Sequence, residues 1–251
     1  MDDVPTIVLK VGGSQADDDA FLHALAETVA RMEEHVVIVH GGGKEIAWLQ
    51  KTLGLTPRFV EGLRVTDDDG LAVVEMVLSG RINKRLVARL TMAGVPALGL
   101  SGVDLGLVRV EKMAHQAGDL GWVGRVVEVD PEPLRMLLQQ RIVPVVSPVS
   151  LGFDGHTYNV NADHVATGVA RALGASALYF LTNVAGVLLN DQVLSQLSAA
   201  EAVKLIENGT IRDGMVPKVR SALAAVAAGV REARITDLDG LAGGGTRVAE
   251  T

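Results

Sequence analysis

Two lysines, one aspartate and two glycine turns carry the chemical potential of this chain. Lys10 closes an apolar run, Thr6-Ile7-Val8-Leu9, just before Val11-Gly12-Gly13-Ser14. A Lys ending a buried strand is unusual unless its ammonium meets an anion there. A stem lying along apolar surface with its head in water is the alternative. The run Val36-Val37-Ile38-Val39 breaks in the same way, into His40-Gly41-Gly42-Gly43-Lys44-Glu45. A helical pattern follows it (Ile46, Leu49, Gln50, Leu53). Glycines let backbone N–H groups approach a ligand with no Cβ in the way. A helix start adds free N–H groups and its positive dipole end, which suits an anion. A plain tight strand-to-helix turn is the competing account. Neither common phosphate motif is met. Glu45 follows Lys44 where a P-loop has Ser or Thr, and Ile46 stands where the dinucleotide fingerprint has its last glycine.

Three further segments hold candidates. Asn159-Val160-Asn161-Ala162-Asp163 alternates short polar residues at the entrance to a helix. In extended form all three face one way, although helix capping explains each one singly. Ile211-Arg212-Asp213-Gly214-Met215-Val216-Pro217-Lys218 is a glycine-bearing loop that leads into a helix, with Lys218 in or near the first turn. A cation there opposes the dipole, a mild cost that makes sense if it reaches an anion. A solvated surface Lys is the other reading. Gly62-Leu63-Arg64-Val65-Thr66-Asp67 sets Arg64 beside a turn. It could clamp a carboxylate or pair with the Asp67–Asp69 cluster. Together these residues suit phosphoryl transfer, which needs positioned cations and N–H donors and little covalent chemistry.

The elements that must hold them alternate. Strands are expected at Thr6–Lys10, Val36–Val39, Pro96–Leu100, Ile142–Ser147, Ala177–Leu181 and Glu232–Thr236. Helices are expected at about Asp18–Met32, Ile82–Ala93, Asn161–Leu173, Ala199–Asn208 and Val216–Ala228. Thr66 is read as the cap of a helix whose first turn is Asp67-Asp68-Asp69, with a break or close packing at Gly80 before the next helix. Asp130-Pro131 reads as an N-cap and N1 pair. Arg58–Val65 reads as a hairpin around Glu61-Gly62. Strand, helix, strand with short links implies parallel pairing and right-handed crossovers. Both glycine turns then open at one sheet edge, where open α/β proteins bind ligands. The class is α/β, with two lobes meeting near Gly174, residues 1–174 and 175–251.

Bulk properties narrow the field. The chain has 251 residues, 48% of them hydrophobic, which fits one large domain or two fused lobes. Aromatics are 3%, so stacking platforms for single-stranded nucleic acid are scarce. A net charge of −7 argues against duplex DNA as a partner. The absence of cysteine excludes disulfides, thiolate catalysis and Cys metal sites. No signal peptide or membrane span is visible, so the expectation is a cytoplasmic protein.

Val11-Gly12-Gly13 after Lys10, His40-Gly41-Gly42-Gly43, the Gly62–Asp67 and Asn159–Asp163 motifs and Gly214-Met215-Val216-Pro217-Lys218 follow one another in order. In this the chain resembles the acetylglutamate kinases of the amino-acid kinase superfamily, from about Thr6 to Val248. The resemblance implies a three-layer αβα sandwich around a mostly parallel eight-stranded sheet. It implies an N-terminal lobe for N-acetyl-L-glutamate and dimerisation, and a C-terminal lobe for ATP. Lys10 and Lys218 would flank the transferred phosphoryl group as catalytic cations. Asp163 would accept hydrogen bonds from both, and Gly13 and Gly42 would donate N–H bonds to that group. Gly42, Gly43, Arg64, Asn159 and Asn161 would hold the acceptor. Thr182, Asn183, Val184, Gly186, Val187, Leu188, Thr210, Ile211 and Arg212, with both lysines, would line the nucleotide site. Mg2+ would be held mainly by the ATP phosphates, with no protein metal cage. The acceptor γ-carboxylate would attack in line, in a step of arginine biosynthesis.

Two departures stand out: Asn183 where many members have Asp, and Val103 where many have Lys. The chain starts directly at its first strand, whereas arginine-inhibited members carry an extra N-terminal helix. A homodimer with weak or no arginine feedback is therefore expected. A kinase acting on aminoadipate or glutamate linked to an acidic carrier protein is the rival reading, and a non-catalytic sensor a second.

Overall fold

The two Val/Ile/Leu runs become adjacent parallel strands at the centre of the sheet. The computed structural model describes residues 4–60 and 63–249. Strand β1 (Thr6–Val11) pairs with β2 (His35–His40), Thr6 opposite His35 and Val11 opposite His40. Their crossover holds a single turn, α1 (Gly13–Ala16), and α2 (Asp19–Ala30). Asp18 starts α2 by accepting the N–H groups of Ala20 and Phe21 at 2.9 and 3.1 Å, donors that a helix start otherwise leaves open. Helix α3 (Gly43–Thr52) leaves β2 through the glycine turn.

Strands β3 (Arg58–Val60) and β4 (Leu63–Val65) form the expected antiparallel hairpin, and its turn residues Glu61 and Gly62 lie outside the described residues. The cap of α4 (Asp68–Glu75) is Asp67, not Thr66, with its carboxylate 2.8 Å from the Gly70 N–H. Thr66 is buried and serves the site instead. The rod does not break at Gly80. It runs on as a π-helical segment, Met76–Ile82, into α5 (Asn83–Met92). Strands β5 (Ala97–Gly102), β6 (Val108–Lys112) and β7 (Gly124–Val129) precede α6 (Glu132–Gln139), whose cap lies one residue later than expected, at Pro131. Then come β8 (Val143–Gly152), β9 (Thr157–Asn159) and α7 (Ala162–Leu173). Helix α7 stops at Gly174, where φ is +64°, a left-handed turn that favours glycine.

The remainder is β10 (Ala177–Leu181), a small β11–β12 hairpin (Leu188–Leu189, Gln192–Val193), β13 (Gln196–Ser198), α8 (Ala199–Glu207), α9 (Met215–Ala227), β14 (Ala233–Thr236) and β15 (Thr246–Ala249). One mostly parallel sheet runs β13-β15-β14-β10-β1-β2-β8-β6-β7, with β5 and β9 also paired to β8. Within this sheet, among the described residues, only the β14–β15, β6–β7 and β8–β9 ladders are antiparallel. Among the described residues the sheet holds eleven strands where eight were expected. Short polar strands such as β9 and β13 present no apolar run from which to read them.

Strand alternation builds the three layers. Val8, Val37, Val39, Leu178 and Phe180 pack beneath α6, α7, α8 and α9. Ile7, Leu9, Val36, Ile38 and Leu181 pack beneath α2, α3, α4 and α5. Side chains two apart on a strand share a face, so Lys10 follows Val8 toward α7, and His40 follows Ile38 toward α5. Among the described residues no helix is long and apolar enough to cross a membrane. Ile38 is fully buried in the central strand. Ile38→Ala should therefore cost about 2–5 kcal/mol, read as a shift of the urea midpoint with an unchanged m-value.

Candidate active site

The two glycine turns touch. The Gly41 N–H donates to the Val11 carbonyl at 2.9 Å. A Cβ on Gly13 would stand 3.0 Å from the Gly43 nitrogen and 3.3 Å from that of Gly42. A Cβ on Gly42 would stand 2.2 Å from Ile82 Cδ1 and 2.7 Å from Leu78 Cδ2. Gly42 has φ −179°, an extended value open to any residue. Close approach, and not torsion, therefore requires glycine at this position. Among the described residues no acceptor takes the Gly42 N–H.

A cleft of about 330 Å³ opens over this junction. Lys10, Gly13, Gly42, Gly43, Arg64, Asn159 and Asn161 all line it, so the sequence candidates for cation, N–H donors and acceptor site meet in one place. Lys10 Nζ lies 2.6 Å from Asp163 Oδ1, with both side chains largely buried. Burial alone would raise the Asp163 pKa. The Lys10 charge and hydrogen bond, with a hydrogen bond from Ser221, outweigh it and hold the carboxyl below its usual range. Asp163 does not bond to both lysines. Ser221 Oγ donates to Asp163 Oδ2 at 2.6 Å, while Lys218 donates to the Gly214 carbonyl at 3.1 Å, the start of its own helix. Burial, and then the charge of Lys10, lower the Lys218 pKa, with Asp163 pulling the other way.

Arg64 does not pair with the aspartate cluster. It donates to Gln50 Oε1 and to the Gly43 carbonyl, and its guanidinium lies over the Phe59 ring at 4.9 Å. Its position is thus set before any ligand arrives, and burial lowers its pKa. Asn159 Nδ2 donates to Thr66 Oγ1 at 3.1 Å. Asn161 is the α7 cap and accepts the Asp163 N–H at 2.8 Å. The polar alternation therefore ends at Asn161, and Asp163 turns away with the helix toward Lys10.

The expected nucleotide segment divides into two groups. Asn183, Leu188, Thr210 and Arg212 are exposed, and Val184 is half-buried. Thr182 is buried and bonded to the Asn183 side chain at 3.3 Å. Gly186 packs against Thr246 and Val193, where a Cβ would come within 2.7 Å of each. Val187 and Ile211 lie deeper. Their side chains belong to the core, and their N–H groups are taken by Thr246 Oγ1 and the Leu205 carbonyl. The segment carries no strand alternation that would have revealed which side chains point inward.

Gln50, Ser221 and His40 escaped the sequence reading. Gln50 and Ser221 sit at ordinary helical positions, and only their distant partners mark them. His40 was taken as part of the glycine motif, yet it is fully buried beneath α5. Burial pushes its pKa down to about 4, against the hydrogen bond to the Gly41 carbonyl, and the Arg85 and Lys84 charges push the same way. As pH falls below 6.5 the unfolded chain takes up a proton here that the folded chain refuses until about 4. Stability should therefore fall by roughly 3 kcal/mol across that window and level off below it. Urea unfolding of the wild type and His40→Gln at successive pH values checks this. The difference between the two proteins should narrow as the pH drops.

The amino acid kinase family model matches residues 5–237. The chain belongs to the amino acid kinase family. Its sequence relatives there include the acetylglutamate kinase of Roseiflexus castenholzii, 55% identical over 242 residues that cover 96% of this chain and 93% of the relative. Among solved structures, smu.665 from Streptococcus mutans is similar at a TM-score of 0.82 and 31% identity, covering 98% of this chain and 99% of that one. Carbamate kinase from Giardia lamblia bound to AMP-PNP, at 16% identity and a TM-score of 0.67, shares the fold alone.

Proposed function

We propose that the chain transfers the γ-phosphoryl group of ATP to the γ-carboxylate of N-acetyl-L-glutamate, giving the acyl phosphate. The observation that carries this reading is the meeting of Lys10, Asp163 and the two glycine turns beside Arg64 and Asn159, in a chain matched almost end to end by an acetylglutamate kinase.

Arg64, pre-set by Gln50, takes the acceptor α-carboxylate, and Asn159 and Asn161 help to fix its body. The γ-carboxylate is ionised at neutral pH, so no general base is required. Lys10 and Lys218 face the developing charge on the transferred group, while Gly13 and Gly42 offer it N–H donors. Asp163 holds Lys10 in place and is itself held by Ser221. Residues 1–174 serve the acceptor and subunit pairing, and residues 175–251 serve the nucleotide. Mg2+ would be held mainly by the nucleotide phosphates and would supply neutralisation of their charge. A cytoplasmic homodimer completes the reading, and sedimentation should give twice the chain mass.

The acceptor is tested by incubating the protein with MgATP and hydroxylamine. Hydroxamate should form with N-acetylglutamate and not with N-acetylaminoadipate, glutamate or aspartate. Activity with none of these would overturn the acceptor and leave the phosphoryl chemistry to a carrier-linked substrate. Lys218→Ala should lower kcat by about 10²–10³-fold with an unchanged circular dichroism spectrum. Undiminished turnover would remove Lys218 from its role.

A further inference from the structure

We propose that Asn83 is a positioning residue for this phosphoryl transfer, acting through His40 to aim the Gly42 N–H. The inference rests on the reading that the glycine turns receive the phosphoryl group. Asn83 opens α5 at the end of the π-helical segment, and both it and His40 are 0% exposed. Asn83 Nδ2 lies 2.8 Å from the Val145 carbonyl, 3.2 Å from that of Leu100 and 3.3 Å from His40 Nε2. Its Oδ1 accepts from Lys84 Nζ at 3.1 Å. Two carbonyls on one side and an ammonium on the other fix which end of the amide is nitrogen.

The imidazole tautomer follows. Asn83 Nδ2 has two hydrogens for three neighbours, so the Leu100 carbonyl and His40 Nε2 share one of them, and Nε2 accepts. The proton therefore sits on Nδ1, which lies 3.2 Å from the Gly41 carbonyl and donates to it. The Gly41–Gly42 peptide is planar and trans, so holding its C=O also sets the direction of its N–H. The same rod grips the turn elsewhere. Leu78 and Ile82 fill the space over Gly42, and Arg81 and Arg85 each hold Glu45 at 2.6 Å. The chain Asn83–His40–Gly41 thus leads from α5 into the cradle.

The experiment compares wild type, Asn83→Ala, Asn83→Asp, His40→Ala and the His40→Ala/Asn83→Ala double variant. Turnover and both KM values are measured on folded protein, and ¹⁵N-histidine spectra are recorded from pH 5 to 9. The wild-type spectrum should hold one neutral, non-titrating ring protonated on Nδ1, absent from His40→Ala. Each single variant should lose about 10–100-fold in kcat with KM within about threefold. The double variant should lose no more than the worse single one, because residues acting as a unit are not additive. Wild-type kcat in folded Asn83→Asp, additive losses, or a His40 ring protonated on Nε2 would each overturn the proposal. Should Asn83→Ala not fold, Asn83→Asp and the wild-type spectrum still decide. Failure of wild type to make hydroxamate from N-acetylglutamate would strike the functional reading, while the spectrum separately tests the His40 tautomer.

Discussion

The pairing of Val11 with His40 is the constraint on which the site depends. It brings the ends of β1 and β2 level, so that both glycine turns leave the sheet side by side. It also sets the parity of everything before them. Lys10 is carried to the α7 face, where Asp163 waits, and His40 to the α5 face, where Asn83 waits. A slip of one residue in either strand would exchange the faces. In β1 it would bury a lysine among the α2–α5 side chains, and in β2 it would turn the imidazole toward the α7 face. Continuous Val/Ile runs, apolar on both faces, do little to specify register alone. The polar residue that ends each run does specify it, because each has a partner on one face.

The Lys10–Asp163 pair shows why two lysines are not equivalent. Taking a carboxylate and an ammonium out of water costs several kcal/mol per ion, and attraction offsets this only with good geometry and further hydrogen bonds. Asp163 meets that condition with Lys10 on one oxygen and Ser221 on the other. Lys10 is therefore fixed in place. Among the described residues Lys218 hydrogen-bonds only to the Gly214 carbonyl at its own helix start, on a long and rotatable stem. In the proposed reaction a locked cation and a movable one suit different tasks. The first shapes the site in advance, and the second follows the charge as it moves.

The fold was legible in the sequence wherever local chemistry decides local structure. The Val/Ile runs and the helix expected over Asn161–Leu173 are each read within a few residues. The glycine turns, Lys10, Arg64 and Asn159 were legible as candidates because their types are unusual at strand ends and turns. Gln50, Asn83 and Ser221 were not, since a polar residue on a helix has no mark until its partner is known. Those partners lie 14, 43 and 58 residues away. The π-helical segment was not foreseen: Gly80 marks neither a break nor close packing, and an extra residue in a turn leaves the apolar spacing nearly intact. Val187 and Ile211 were placed at the nucleotide because a motif names a segment and not the direction of its side chains.

An acceptor already ionised at neutral pH leaves His40 no proton to take. Burial holds its pKa near 4, and both ring nitrogens are engaged, so it is no general base. Its worth to the site is structural precision. Backbone N–H donors in a clamped turn lose almost no conformational freedom when a charged group arrives, whereas a serine or asparagine donor would have to be ordered at that moment. Donors fixed before the charge develops do not reorganise during the step, and this is where electrostatic stabilisation of a transition state is most effective. The burial of Leu78, Ile82, Asn83 and His40 around Gly41 and Gly42 therefore belongs to the site as much as the lysines do. A glycine turn that only bent the chain would not need to be held from so many sides.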